Sequence, residues 1–283
     1  MTGIGRQVAL VTGTSSGMGL HAAVGLAERG FRVVATMRDV SRSDRLRAAA
    51  SEAGVELDVR ALDVTDHEAA AACVDGVLGD HGRIDVLVNN AGRGAVGTAE
   101  QLTLDEIKAQ LEVNYLGPVA LTKLVLPAMR GAGAGRVLTV TSVGGAVGQP
   151  FADAYCGAKF AVEGFMQSLS TVMLAHGVWV SVIEPAAVAS DFVSNVARPS
   201  GTPPADAYAV QLEAYLARSA GAFAAAQSAE DAGAAIAAAA TAVDYRFRWQ
   251  SSEGATAFVG MSLADLDGSR VLGATRTWIE TPA

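Results

Sequence analysis

Cysteine is scarce: the chain carries only Cys73 and Cys156, far apart and without a C-x-x-C partner. That argues against a disulfide framework and a structural zinc site, and it sets the expectation of a reduced, cytoplasmic interior. Basic residues are in the minority, 21 Lys and Arg against 29 Asp and Glu, and they form no run. A formal charge of −8 argues against nucleic acid or an anionic membrane surface and favours a small-molecule partner. Long apolar runs are missing as well. The start, MTGIGRQVALVTG, has no charged leader followed by an apolar stretch, and AAIAAAATAV at 234–243 is too short to span a bilayer, so no export or insertion signal is read. The histidines, His21, His67, His81 and His176, show no metal-ligand spacing, and neither a metal centre nor metal-assisted hydrolysis is expected.

What is present is apolar: 51% hydrophobic against 18% charged over 283 residues, enough for a generous core. The excess would line a greasy pocket or an oligomer interface, and both readings stay open. Near-continuous apolar runs alternate with helix-length segments: VALVT (8–12), FRVVAT (31–36), VELDVRAL (55–62), IDVLVN (84–89), RVLTVT (136–141) and VWVSVIE (178–184). This pattern predicts a doubly wound, mostly parallel α/β sheet of Rossmann type in a single domain, 1–283. Within it, 1–185 is expected to hold cofactor and catalysis, 186–243 a substrate-binding loop and helices, and 244–283 a short strand and tail. ARPSGTPPAD (197–206) reads as a lid or a plain connector before a helical region from about 206 to 240.

The first strand runs into Thr12-Gly13-Thr14-Ser15-Ser16-Gly17-Met18-Gly19 and then a helical segment. Glycines there allow a tight turn and a close approach of backbone to ligand, while the helix start offers free amides and a positive dipole end to a pyrophosphate. Position between strand and helix is what lifts this above ordinary turn chemistry.

The spacing T-G-x-x-x-G-x-G resembles the short-chain dehydrogenase/reductase superfamily, and further stations follow in order over residues 8–190. The resemblance implies that Asp63 and Val64 of LDVTD contact an adenine ring and that Asn90, Ala91 and Gly92 of NNAG line the cofactor. It likewise implies a catalytic tetrad of Asn114, Ser142, Tyr155 and Lys159, with the serine thirteen residues before the tyrosine.

The stretch AYCGAKF, 154–160, has a physical reading of its own. Residues i and i+4 share one helix face, so Tyr155 and Lys159 project to the same place. A phenol with a pKa of about 10 is a poor acid or base near neutrality, and a nearby ammonium, helped by the positive nicotinamide of an oxidised cofactor, is expected to draw it down. Tyr155 then exchanges a proton with a substrate oxygen, and Ser142 hydrogen-bonds that oxygen. From the family come two further roles: Lys159 holding the nicotinamide ribose, and Asn114 positioning a water.

Cofactor choice turns on FRVVATMRD. An NAD-selective site would place a carboxylate at the end of the second strand, where this chain has Met37 followed by Arg38. Arg38, with Ser15 and Ser16, suits a 2′-phosphate, so NADP(H) is expected over NAD(H). Asp39 is the competing carboxylate, and a solvated surface charge is the bland alternative for Arg38. The sixth strand is followed by Pro185-Ala186-Ala187-Val188-Ala189-Ser190, where the family commonly reads Pro-Gly-x-Val-x-Thr. Pro185, Val188 and Ser190 can still serve the cofactor, but a Cβ on Ala186 would be strained if that position needed a positive φ.

Within the superfamily, GLHAA, ATMRD, GRIDVLVNNAG, SVGGAVGQPFADAYCGAKFAVEGF and, more faintly, YLARSAGAFAAAQSAEDAG resemble the 17β-hydroxysteroid dehydrogenase and retinol dehydrogenase-like members. The likeness implies a ketone and secondary alcohol pair on a bulky, hydrophobic, cyclic substrate of steroid, retinoid or polyketide type. Wall candidates are Val143, Gln149, Phe151, Phe192, Tyr208, Tyr215 and Phe223, each of which would serve equally as core or interface. Arg218 is either an anchor for a distant substrate oxygen or an exposed helix charge. The helix after Tyr155 is apolar on more than one side, through Phe160, Val162, Phe165, Met166, Leu169, Val172 and Met173, which suggests a homodimer or homotetramer. A family member that binds the dinucleotide without redox turnover is the alternative function.

Overall fold

The structure is a computed structural model that describes residues 6–191 and 207–264, with positions 196, 267, 273, 274 and 277. Seven parallel strands form one sheet in the order β3-β2-β1-β4-β5-β6-β9: β1 (Val8–Thr12), β2 (Arg32–Met37), β3 (Leu57–Ala61), β4 (Val86–Asn89), β5 (Gly135–Val140), β6 (Val178–Glu184) and β9 (Arg248–Gln250). A small second sheet pairs β7 (Val188–Ala189) with β8 (Gln227–Ser228). Every residue of β1 is buried, as expected of a central strand covered on both faces.

Alternation along that strand feeds two cores. Ala9 and Val11 join Leu20, Leu26 and Ile236 on one face, while Val8 and Leu10 join Leu121, Val125, Val162 and Met166 on the other. The first layer holds α1 (Gly17–Glu28) and α8 (Ala229–Thr241), and α2 (Asp44–Glu52) packs beside α1. The second holds α3 (His67–His81), α5 (Gly117–Ala132) and α6 (Asp153–Leu174), with α4 (Leu104–Leu111) packed against α6. Small side chains explain the alanine-rich α8. A Cβ on Gly233 would lie 2.5 Å from that of His21, so helices α1 and α8 approach closely only because this position is bare.

The six strands read from sequence all form. The region expected to be helical from about 206 to 240 is two helices, α7 (Ala209–Ala224) and α8, broken where β8 bonds to β7. The expected C-terminal strand is β9, and it is followed by α9 (Glu253–Leu263), which the sequence reading did not mark. Ala255 and Val259 of α9 pack against Val143 and Ala146. Segment 197–206, read as lid or connector, lies outside the described residues. Among the described residues no helix is long and apolar enough to cross a membrane.

Candidate functional site

The strand order reverses between β1 and β4, and the loops beyond the carboxyl ends of these strands open a crevice there. Its floor is glycine by necessity. Gly13 and Gly17 have φ of 70° and 62°, and a Cβ on Gly13 would lie 2.8 Å from Cα of Ala91. On Gly19 it would lie 2.2 Å from Nδ2 of Asn90. Asn90 ties the two loops, donating from Nδ2 to the carbonyls of Thr12 (2.9 Å) and Gly13 (3.0 Å). Thr12, which opens the T-G-x-x-x-G-x-G spacing but was given no role from it, accepts at Oγ1 from the amides of Asn90 and Ala91, both at 3.0 Å. The motif marks this threonine, but what its hydroxyl holds shows only once the neighbour strand is known.

Ser16 precedes α1 in extended conformation, its side chain makes no capping bond, and the first turn has no acidic residue. The free amides of this turn, which includes Met18, thus meet the bare glycine loop, a cradle that suits a dinucleotide pyrophosphate.

Beside it, Ser15, Met37, Arg38, Asp39 and Arg42 line a cleft of about 270 Å³. Met37 is buried in the core behind β2, while Arg38 is exposed at the cleft. The rival carboxylate is engaged: Asp39 accepts from the amide (3.0 Å) and hydroxyl (2.7 Å) of Ser41, which hold it below its usual range. Arg42 escaped the sequence reading; its only signal is a second arginine four residues after Arg38.

Farther along, Asp63 accepts from the amide (2.9 Å) and hydroxyl (2.8 Å) of Thr65 and so shapes the turn after β3. Val64 is buried against Gly117, where a Cβ would lie 3.0 Å from its Cγ2.

At the end of β5, Ser142 Oγ accepts from the Gly144 amide at 3.0 Å and is also hydrogen-bonded to Tyr155, in the first turn of α6. Lys159, one turn on, donates to the carbonyl of Val140 at 2.9 Å, with Nζ 5.8 Å from the Tyr155 ring centre. Asn114 is swung inward by a single π-helical turn, Glu112–Leu116, and is 1% exposed. Its Nδ2 donates to the Arg93 carbonyl at 2.9 Å, and buried Gln110, another residue unmarked in sequence, packs beside it. Gly92 joins the group: a Cβ there would lie 3.0 Å from Asn114 Oδ1 and 3.7 Å from Lys159 Nζ. All four expected residues therefore converge.

Burial pushes the Tyr155 phenol above its ordinary value, and the Ser142 hydrogen bond only partly opposes this. Burial also lowers the Lys159 ammonium, to about 8, while Glu163 pulls the other way, so the amine 5.8 Å from the ring centre keeps most of its charge at neutral pH and favours the phenolate against the larger effect of burial. The chain alone keeps Tyr155 protonated.

Beyond β6, the Pro185 carbonyl accepts from the Val143 amide at 2.9 Å. Ala186 is unstrained, since Phe151 is the single non-glycine residue with positive φ among those described. Val188 is buried in β7, and the Cβ of Ser190 lies 3.2 Å from where one on Gly17 would sit, so this loop leans over the glycine turn.

Of the wall candidates, Phe151 and Tyr215 are buried with ring centres 5.6 Å apart. Tyr215 also lies close enough to Tyr155 and Cys156 to interact with both electrostatically. Nε2 of Gln149 and Cε1 of Tyr155 both come within 3.2 Å of a Cβ placed on Gly144. Val143 is instead taken up by packing against Ala255 and Val259. Tyr208 is half-buried and donates to Glu100 at 2.8 Å, Arg218 is exposed on α7, and Phe223 is half-buried near that helix's end. Phe192 lies outside the described residues.

A doubly wound parallel sheet with a glycine cradle at its switch point and Ser, Tyr, Lys and Asn converging beside it defines a Rossmann-type oxidoreductase. The chain belongs to the short-chain dehydrogenase family, whose model, described as short chain dehydrogenase, matches residues 7–200. It is 44% identical over 198 residues to human 17-beta-hydroxysteroid dehydrogenase type 1, covering 68% of this chain and 60% of that protein. Human retinol dehydrogenase 8 is 42% identical over 190 residues, covering 66% and 60%. The matched part is thus about three fifths of these curated relatives. Among solved structures, a short-chain dehydrogenase from Streptomyces avermitilis superposes with a TM-score of 0.80 at 28% identity, covering 99% of this chain and 100% of that one. A metagenomic short-chain oxidoreductase in complex with NADP superposes at 0.68 with 31% identity, covering 86% and 95%.

Proposed function

We propose that this oxidoreductase interconverts a ketone and a secondary alcohol on a bulky, hydrophobic, cyclic substrate, using NADP(H) in preference to NAD(H). One observation carries the reading: Tyr155 is hydrogen-bonded to Ser142, while Lys159 and Asn114 meet beside Gly92 at the mouth of the glycine cradle.

When bound, the nicotinamide supplies or accepts the hydride. The protein's part is the proton. Tyr155, kept protonated by burial, gives its proton to the carbonyl oxygen of a ketone and takes it back from an alcohol. Ser142 hydrogen-bonds the same oxygen, fixing it against the phenol and stabilising charge that develops on it. Lys159, close to neutral pH in its own titration, stabilises the phenolate left behind and holds the ribose. Asn114 orients a water that connects Lys159 to solvent. Asp63 and Val64 would meet the adenine, and Pro185, Val188 and Ser190 would hold the carboxamide side. Arg38 would receive the 2′-phosphate with Ser15 and Ser16, and Arg42 lines the same cleft as a second cation.

Phe151, Tyr215 and Gln149 support the bulky apolar substrate, because Tyr215 interacts with the Tyr155 phenol and packs on Phe151, while Gln149 approaches the same side of Gly144 as the Tyr155 ring. The relatives named for a hydroxysteroid and for retinol support the same class. A homodimer or homotetramer would cover Phe160, Val172 and Leu174, which α6 leaves exposed at 46%, 57% and 40%.

NADPH consumption against a panel of steroids, retinals, decalones and polycyclic aromatic ketones tests the reading, with Tyr155→Phe as control. Turnover lost in the variant is the expected result. Tight NADPH binding with no turnover on any ketone would turn the assignment to a dinucleotide-binding member without redox activity.

A further inference from the structure

Behind the proposed catalytic centre lies a buried charge cluster that the reaction as described does not use. Glu163 stands one helical turn beyond Lys159 on α6 and is 3% exposed; Glu184, the last residue of β6, is 0% exposed. Arg248 of β9 bridges the two, with Nη1 2.6 Å from Glu163 Oε2 and hydrogen-bonded also to Glu184 Oε1. Gln250 donates to the second oxygen of Glu184 at 2.6 Å. Glu163 Oε1 abuts the turn that carries Ser142, since a Cβ on Gly145 would lie 2.4 Å from it.

Carboxylates this deep are costly unless their charge is matched. Arg248 supplies one positive charge for two negative ones. The second buried cation in reach is Lys159, and the i, i+4 spacing on α6 places it on the same helix face as Glu163.

We propose that Glu163, braced by Arg248 and Glu184, is a positioning residue that maintains the positive charge of Lys159 and backs the turn bearing Ser142. The proposal rests on the ketoreductase reading for its use, though not for its test. Glu163 faces Arg248 from β9, Glu184 from β6, Thr141 from beyond β5 and Lys159 from its own helix. Lys159 faces Tyr155, Glu163 and, across Gly92, Asn114. The titrations agree with this arrangement: Glu163 is raised to about 7 by burial first and by Glu184 next, and Glu163 raises a lysine that burial has lowered to about 8. Near neutral pH the proton on Glu163 and the charge on Lys159 are therefore linked, and proton uptake by the glutamate weakens the ammonium.

The chain contains three lysines, Lys108, Lys123 and Lys159, so selective ¹³C labelling of lysine gives a spectrum simple enough to follow one side chain. In the cofactor-free protein, Glu163→Gln is expected to lower the Lys159 midpoint by about one pH unit, roughly tenfold in its protonation constant, with Glu163→Asp restoring most of the shift. A midpoint moved by less than roughly 0.3 unit in a folded Glu163→Gln protein overturns the proposal. Should that variant not fold, linkage supplies the reciprocal measurement: in Lys159→Met the ¹³Cδ titration of Glu163 must move upward, and an unmoved titration overturns the proposal equally. The two readings fail separately. An intact Lys159 and Glu163 coupling with no turnover on any ketone would remove the redox function alone, whereas Tyr155-dependent turnover with an uncoupled Lys159 would remove this proposal alone.

Discussion

Lys159 donates from Nζ to the carbonyl oxygen of Val140 at 2.9 Å, tying the helix that presents Tyr155 to the last residue of β5. The amine is held where a flexible surface lysine could not stay, and the restraint costs stability. Burial lowers Lys159 from 10.5 to about 8, so the folded chain gives up this proton before the unfolded chain does. Stability should therefore rise with pH between about 8 and 10.5, and the penalty is complete below pH 8. Lys159→Met is expected to gain roughly 2 kcal/mol in urea unfolding at pH 7, after allowing for the lost hydrogen bond, while turnover disappears. A destabilised variant would mean that the bond to Val140 and the charge match to Glu163 together outweigh desolvation.

The two arginines of the cleft should separate the cofactors. Arg38→Ala is expected to raise KM for NADPH about tenfold or more, with KM for NADH changing by less than about twofold, since a charge-assisted phosphate contact is worth roughly 1.5–3 kcal/mol. Arg42→Ala should act in the same direction and more weakly, because Arg42 ends a short turn that Asp39 caps. Equal effects on both cofactors would sink the assignment of this cleft to a 2′-phosphate.

Glycine substitutions test the cradle against the rest of the fold. Gly19→Ala places a methyl 2.2 Å from Asn90 Nδ2 and 2.4 Å from the Gly13 carbonyl, so the loops must part. We expect about 2 kcal/mol of destabilisation or more, and loss of the thermal shift that NADPH produces. Gly148→Ala meets nothing within 4 Å and should stay within about 0.5 kcal/mol of the parent with its NADPH shift intact.

These contrasts show what was legible beforehand. Strands such as VALVT are near-continuously apolar because both faces are covered, so composition alone betrays them. The glycine turn and the Tyr155 and Lys159 pair are local in sequence, and their spacing carried the chemistry. What escaped is non-local. Thr12 matters because β4 ends beside β1, Glu163 because β9 brings Arg248 to it, and α9 because a surface next to Val143 needs covering. Arg42 is intermediate, a local residue whose direction only the turn after β2 decides. The burial that raises the Tyr155 phenol and lowers the Lys159 ammonium is non-local in the same way: i, i+4 spacing gives proximity and no measure of burial.

Phe151 offers the sharpest test of the substrate wall. It holds φ of 58° in the loop between Ser142 and Tyr155, a conformation that costs a residue with a Cβ of order 1 kcal/mol. Two features hold it there: its carbonyl accepts from the Gly97 amide at 2.7 Å, and its buried ring packs on Tyr215. Phe151→Gly and Phe151→Ala both delete the ring, but only glycine relaxes the backbone. The glycine variant should therefore be the more stable of the two by about 1 kcal/mol in urea unfolding, the reverse of the order at an ordinary position. Both should raise KM for bulky ketones several-fold while leaving KM for NADPH unchanged. Stability that follows the ordinary order would show the loop relaxing in the variants. An unchanged ketone KM would place Phe151 in the packing beneath α7 and move the substrate wall to other residues.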